Sequence, residues 1–388
     1  MKFLHTSDWH VGKTLKNRSR LPEQTRVLRE IVTMAAEHAV DAVLVAGDLY
    51  DHAAPSAAAQ DLVVGTLLDL HRLGVEVVAV AGNHDHPDTF EAYRPLMRIA
   101  GIHLSGHVRA PDNGGLVPFT ARSTGEPVQV AVMPFLPARH IVRAAQVAAP
   151  QAENSGRYDE ATRQIVGALS AGFADDAVSV FLAHLTVVNG RYGGGERLSQ
   201  SIMDYVVPGT IFPAEAHYVA LGHLHRRQVV PAGCPVHYSG SPVAVDFGEQ
   251  ENTPQVLLVE AGVSTPAVVT ELPVTQARRL RTVRGAVDEL VARSEELGED
   301  YLRVEITEPA IAGVREHLSL ALPNMLELRL DPALAPLRAS SAAAALRSDA
   351  TAQELFEQYC ARTGAADPRV TRLFAELHDE ATSATSRG

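Results

Sequence analysis

Along the first part of the chain the apolar positions alternate between two rhythms. Residues 2 to 7 form a short apolar run, Asp41 to Asp48 a near-continuous one, and Val75 to Val80 a third. Unbroken runs of this length predict strands buried on both faces. Between the first two, Val27, Leu28, Ile31, Val32, Ala35, Ala36 and Ala39 recur at helical period, with Pro22 near the first turn. Between the next two, a helix is expected from about Ser56 to Leu73, with Ser56 as N-cap and Gly74 as its stop. Strand, helix, strand, helix, strand implies parallel pairing with right-handed crossovers. In such sheets ligands gather outside the carboxyl ends of the strands.

From residue 101 the pattern is shorter and more varied. Val128 to Pro134, Val178 to His184 and Tyr218 to His225 read as apolar strands, the last two ending in histidine. Ala144 to Gly172 reads as helical in parts, with an interruption near Pro150 to Gly156. Strands at Pro235 to Ser239 and Gln255 to Glu260 close the domain. After Pro273 the pattern shifts. Arg278, Arg279, Arg281 and Arg284 cluster at a junction, followed by a helix (286–297), a strand (Tyr301 to Thr307), a helix (Ile311 to Leu322) and a strand (Met325 to Leu330). An Ala/Pro/Ser-rich linker follows. Two short amphipathic helices come last, lined by Leu355, Phe356 and Tyr359 and by Val370, Leu373, Phe374 and Leu377. Two helices alone bury such stripes poorly and call for a neighbour.

Composition narrows the class. Hydrophobic residues at 46% and charged ones at 21% fit an ordinary globular protein. No apolar run reaches the roughly 18 to 20 residues needed to span a membrane, and the N-terminus lacks a signal-peptide layout. Cys234 and Cys360 form no C-x-x-C pair, which suits a reducing cytoplasm and excludes a thiolate zinc site. Net charge is −12, so any nucleic-acid surface must be local or supplied by a partner. One local candidate is Lys13, Lys16, Arg18 and Arg20, a run with no acid until Glu23. It reads either as a solvated loop or as phosphate contacts beside a site. Gly193-Gly194-Gly195-Glu196-Arg197 lacks the Gly-Lys-Ser/Thr ending of a P-loop, so no ATP site is expected.

The chemistry stands at strand ends. Asp8, His10, Asp48, Asn83, His184, His223 and His225 all follow buried strands. In an extended segment Asp8 and His10 share a face and can converge on one ion, and His223 and His225 repeat that spacing. Three Asp/Asn oxygens and four imidazoles are too many for one catalytic zinc. They suit two octahedral or five-coordinate divalent ions such as manganese, iron or magnesium. Asp48, preceded by Gly47, is the expected bridging ligand. Two ions about 3.5 to 4 Å apart favour phosphoester hydrolysis. His84 is read as the group that protonates the leaving oxygen or hydrogen-bonds the phosphoryl group. Asp85 is read as orienting His84 or a ligand histidine.

In order and type, Asp8-x-His10, Gly47-Asp48, Gly82-Asn83-His84-Asp85, His184 and Gly222-His223-Leu224-His225 resemble the calcineurin-like metallophosphoesterase superfamily over residues 1 to about 260. More narrowly, the chain is similar to the nuclease-subunit family of bacterial SbcC–SbcD complexes. Thr6-Ser7-Asp8-Trp9-His10-Val11-Gly12-Lys13, the Arg-rich junction with its α+β unit, and Leu355-Phe356-Glu357-Gln358-Tyr359 with Thr363-Gly364 carry that likeness.

The resemblance implies a four-layer α/β/β/α sandwich (1–274), a DNA-capping α+β domain (275–332), a linker (333–345), a helical SbcC-binding segment (346–380) and a disordered tail (381–388). It implies a homodimeric, manganese-dependent, cytoplasmic nuclease, found at the nucleoid when bound to DNA. That enzyme would be a double-strand 3′–5′ exonuclease and a single-strand or hairpin endonuclease acting in DNA repair and recombination, with ATP used by the SbcC partner. One ion would take Asp8, His10, Asp48 and His225, the other Asp48, Asn83, His184 and His223, with His84 as the transition-state histidine. The competing expectations are a phosphoesterase for a small phosphodiester or phosphomonoester, and a non-catalytic DNA-tethering scaffold.

Overall fold

The computed structural model describes residues 1–137, 140–141, 158–195, 206–308, 313–331, 356–357, 360 and 367–385. Its strands are β1 Lys2–Thr6, β2 Thr14–Leu15, β3 Arg18–Ser19, β4 Ala42–Val45, β5 Glu76–Val80, β6 Ile102–Ser105, β7 Leu116–Thr120, β8 Pro127–Met133, β9 Val178–His184, β10 Thr186–Val187, β11 Val206–Val207, β12 Tyr218–Gly222, β13 Gln228–Val230, β14 Val236–Tyr238, β15 Gln255–Gly262, β16 Thr265–Pro273, β17 Leu280–Gly285, β18 Tyr301–Ile306 and β19 Met325–Leu330. Helices α1 Leu21–Glu37, α2 Ala57–Arg72, α3 Pro87–Ile99 and α4 Tyr158–Ser170 cover the sheets.

Two six-stranded sheets form the frame, ordered β16-β15-β1-β4-β5-β6 and β13-β14-β12-β9-β8-β7. In the first, β1, β4, β5 and β6 run parallel, and β15 and β16 add antiparallel edges. In the second, β8, β9, β12 and β14 run parallel. Strand β4 shows why its sequence is continuously apolar. Ala42 and Leu44 face the core between the sheets, with Phe3, Val80, Val130, Val180, Leu182 and Tyr218. Val43 and Val45 face α1 and α2, against Leu28, Ile31, Val63 and Leu67. The far face of the second sheet packs on α4 through Ile165, Val166 and Leu169. The layers are therefore helix, sheet, sheet, helix, and each fully buried aliphatic side chain contributes about 1.5–3 kcal/mol.

Helix α3, with strands β6 and β7, is absent from the pattern reading. Phe90, Tyr93 and Met97 of α3 face the core at helical spacing, but Pro95 inside it and the exposed Leu96 and Ile99 interrupt the apolar pattern. Residues 14–19, read as a plain loop, form the small β2–β3 hairpin. The α+β pattern after Pro273 is as expected, with one strand more. Strands β17, β18 and β19 make a three-stranded sheet with short helices Val287–Ala292, Ser294–Leu297 and Val314–Ala321.

The chain divides into two compact units, Met1–Glu305 with Gly313–Leu328, and Ile306–Ala312 with Arg329–Gly388. In the second unit a helix spans Pro368–Thr385. This corrects the expected disordered tail, because the helix continues to Thr385. Phe356 stacks on Phe374 with centroids 4.0 Å apart, so the two expected stripes meet there. Val370, Leu373 and Leu377 remain exposed. The linker, the rest of the first C-terminal helix, the first part of the Ala144–Gly172 stretch and the end of the glycine-rich stretch after Gly195 lie outside the described residues.

Candidate metal centre

All seven expected ligands meet at the carboxyl edge of the two sheets. Asp8 and His10 follow β1, Asp48 follows β4, Asn83 follows β5, His184 ends β9, and His223 and His225 follow β12. The chain does not stay extended there. Asp8 (φ 54°), His10 (φ 44°), Asp48 (φ 52°) and His223 (φ 100°) all adopt positive φ, a region L residues avoid. The expected i, i+2 convergence therefore comes from a turned backbone. It is fixed by hydrogen bonds from Asp8 N to Gly47 O (2.9 Å) and His10 N to Asp48 O (3.0 Å). Crowding explains two glycines. A Cβ at Gly47 would strike the His184 ring, and one at Gly82 would strike the Asp48 carboxylate.

The side chains form two clusters. In one, His10 Nε2 and His225 Nε2 lie 3.0 Å apart, with Asp8 Oδ1 4.0 Å from His225 Nε2. In the other, Asn83 Oδ1 lies 2.9 Å from His184 Nε2 and 2.8 Å from His223 Nδ1. Asp48 stands between them, its Oδ2 3.7 Å from His10 Nε2 and 3.6 Å from His184 Nε2. Its Oδ1 accepts from the His84 backbone N–H at 2.8 Å. His223 and His225, two residues apart, thus serve different clusters. The first cluster is buried, whereas Asn83 is exposed and His223 half-buried, so the second opens to solvent.

The groups present fit divalent metal. Neighbouring ligand atoms around a six-coordinate ion with bonds of about 2.1 Å stand about 3.0 Å apart. His184 donates from Nδ1 to Ala46 O at 2.8 Å, so its Nε2 presents a lone pair to the Asn83 oxygen. His225 donates from Nδ1 to Glu249 Oε1 at 2.6 Å, so its Nε2 presents a lone pair to His10. At His184 and Asn83 two lone pairs face one another, an arrangement that a cation satisfies. Burial, with neighbouring imidazoles, holds His10 and His184 well below the ordinary histidine range, in the neutral form that binds metal. Burial first, then Asp85 and Asp8, pushes Asp48 well above the carboxylate range.

His84 donates from Nδ1 to Asp51 O at 2.8 Å, and a ring nitrogen lies within 4.8 Å of the ligand atoms of His10 and Asp48. Asp85 corrects the expectation. It binds no imidazole; its oxygens accept backbone N–H groups of Leu49, Tyr50 and Gly82. It thus ties the turns after β4 and β5 together, and burial raises it to about 6.

In the basic loop one expected contact, Arg20, is corrected. Arg20 is 1% exposed, forms a two-pronged pair with Glu23 and donates to Ala244 O. It is a structural strut and cannot reach DNA. Lys13 Nζ lies 3.1 Å from Asp51 Oδ1, Lys16 Nζ lies 3.3 Å from Glu327 Oε2, and Arg18 donates to Pro323 O at 3.3 Å. The junction arginines meet acids too: Arg281 pairs with Glu296 and Asp300, and Arg278 with Glu299.

Pattern reading missed three groups. Asp51 Oδ1 lies 3.6 Å from His10 Nδ1, and its carbonyl holds His84. Burial raises Asp51, but His10 and Lys13 outweigh it and hold the carboxyl below its ordinary range. Glu249 holds His225. Phe135 stacks beside His223 with centroids 6.1 Å apart, in a cleft of about 750 Å³ that also includes Asn83 and His107. Asp51, three residues past Asp48, was the one with a sequence signal.

Comparison with known proteins agrees with this geometry. The calcineurin-like phosphoesterase family model matches residues 1–227, and the model described as the Type 5 capsule protein repressor C-terminal domain matches residues 276–363. The chain is 36% identical over 263 residues to the SbcD component of the SbcCD nuclease of Bacillus subtilis, covering 67% of this chain and 66% of that one. It is 33% identical to the corresponding SbcCD component of Rhodobacter capsulatus, covering 64% of each. The Escherichia coli K12 counterpart is 30% identical over 316 residues, covering 76% of this chain and 74% of its own. The matched region spans just under two thirds of the first two relatives. With that match over more than half its length, the chain belongs to the calcineurin-like phosphoesterase family.

Proposed function

We propose that the chain is the metal-dependent nuclease subunit of an SbcC–SbcD-type complex, hydrolysing phosphodiester bonds of DNA ends and hairpins. The observation that carries this reading is Asp48 Oδ2, placed almost equally between two histidine-rich clusters. Two divalent ions, most simply manganese, would be held by Asp8, His10, Asp48 and His225 and by Asp48, Asn83, His184 and His223. When bound, they supply charge neutralisation at the phosphate and a water of lowered pKa. The chain's own residues do the rest. Asp85 fixes the two turns that carry Asp48 and Asn83. The Asp51 carbonyl holds the Nδ1–H of His84, so that Nε2 is the nitrogen available to the phosphate. Protonated there, His84 donates to the leaving oxygen or to the phosphoryl group.

DNA as substrate, and an SbcC-type ATPase as partner, rest on the SbcD relatives and on the second family match over residues 276–363. That match favours this reading over a small-molecule phosphoesterase, which has no need of a capping sheet. In it, residues 275–332 cap the DNA, 346–380 dock the ATPase, and two copies pair. The protein works in the cytoplasm, at the nucleoid when bound to DNA. Among the described residues no helix is long and apolar enough to cross a membrane.

The test is His84→Ala. It keeps manganese stoichiometry by calorimetry and loses hairpin-DNA cleavage by at least about 100-fold. Undiminished cleavage, or cyclic AMP hydrolysis with intact hairpin DNA in the wild type, contradicts the reading.

A further inference from the structure

Among the described residues Glu249 is the most buried acid outside the candidate ligand set, and it has no place in the reaction described above. It is 1% exposed and ends the short 3-10 turn Phe247–Glu249. Its two oxygens have separate tasks. Oε1 accepts from His225 Nδ1 at 2.6 Å, and Oε2 accepts from the Val245 backbone N–H at 2.7 Å. A carboxylate behind an imidazole fixes its tautomer and raises its basicity as a ligand. Among the other histidines of the site, His184 has only a backbone carbonyl behind it, and His10 Nδ1 has Asp51 no nearer than 3.6 Å.

The turn that carries Glu249 is also where the three-stranded sheet is fastened. Phe247 lies under the Arg303 guanidinium, 4.4 Å from ring centroid to Cζ, and packs with Leu15, Ala244, Leu280 and Tyr301. Gln250 Oε1 accepts from Thr282 N at 2.9 Å. The segment leaving His10 is gripped by the same sheet, through Lys16 to Glu327 and Arg18 to Pro323. His10 and His225 belong to the same cluster.

We infer that Glu249 is a positioning residue that fixes His225 with Nε2 toward the Asp8–His10 cluster, and so sets the affinity of that metal position selectively. The inference rests on the two-ion reading. Glutamine at 249 has one oxygen for two N–H groups, so either Val245 or His225 loses its acceptor.

The experiment is manganese titration by calorimetry of the full-length wild type, Glu249→Gln and Glu249→Asp, with nitrogen NMR of the histidine rings in the metal-free proteins. Wild type binds two ions, and of the site rings protonated at Nδ1, which include His84, His184 and His225, one shifts in Glu249→Gln. In Glu249→Gln one site weakens about 10- to 100-fold, and the other stays within about threefold. Glu249→Asp keeps the carboxylate, keeps the tautomer, and weakens the same site less. If Glu249→Gln does not fold, Glu249→Asp alone carries the test. Equal weakening of both sites, or an unchanged site and tautomer in both variants, overturns the inference while leaving two-ion binding intact. Fewer than two ions in wild type overturns the two-ion reading and this inference with it.

Discussion

Four of the seven candidate ligands pay for their positions in backbone strain. A non-glycine residue held at positive φ costs on the order of 1–3 kcal/mol, and Asp8, His10, Asp48 and His223 all do so. The strain is offset by the hydrogen bonds that lock the turns, from the backbone N–H groups of Leu49, Tyr50 and Gly82 to the Asp85 carboxylate and from His223 N to Asp8 Oδ1. The same residues set the pH response. His10 and His184 are held neutral by burial, so near neutral pH their lone pairs need shed no proton. Asp48 is pushed up by burial, so the proton that metal must displace sits on its carboxyl group. Binding therefore releases protons, and affinity rises with pH. Manganese affinity is expected to climb with pH on the acid side of neutrality, about tenfold per pH unit for each proton released, as measured by calorimetry in buffers of different ionisation enthalpy. An affinity flat across that range contradicts the assignment. The candidate ligands were legible in the sequence because each follows an apolar run. Glu249 and Asp51 were not fully legible, because a carboxylate behind an imidazole leaves no periodicity.

At the scale of elements, the strand ends were readable and the loops between them were not. Continuous apolar runs specify β1, β4, β5, β9 and β12, since both faces of each are covered. Helix α3 hides because Pro95 and the exposed Leu96 and Ile99 break up its stripe of Phe90, Tyr93 and Met97. The basic stretch after His10 misled for a different reason. Composition cannot tell a phosphate contact from a buried strut, and Arg20 is the strut, paired with Glu23 and donating to Ala244 O. Removing one partner of a buried pair strands the other charge. Arg20→Ala is expected to lose about 3–5 kcal/mol of stability by denaturant titration. The salt dependence of DNA binding should stay unchanged. A slope reduced by about one with stability intact would restore Arg20 as a phosphate contact.

At the scale of the molecule, two sheets bring together residues more than two hundred positions apart, such as Asp8 and His225. That closure is what a linear pattern cannot show. The first sheet supplies Asp8, His10, Asp48 and Asn83, and the second supplies His184, His223 and His225. Each metal cluster draws on both. The claim that this edge is a two-ion nuclease centre is tested most directly by hairpin-DNA cleavage at rising manganese, against metal-free full-length protein. Cleavage should stay near background through the first equivalent and rise with the second. Cleavage that is complete at one equivalent, or absent with both positions filled, contradicts it.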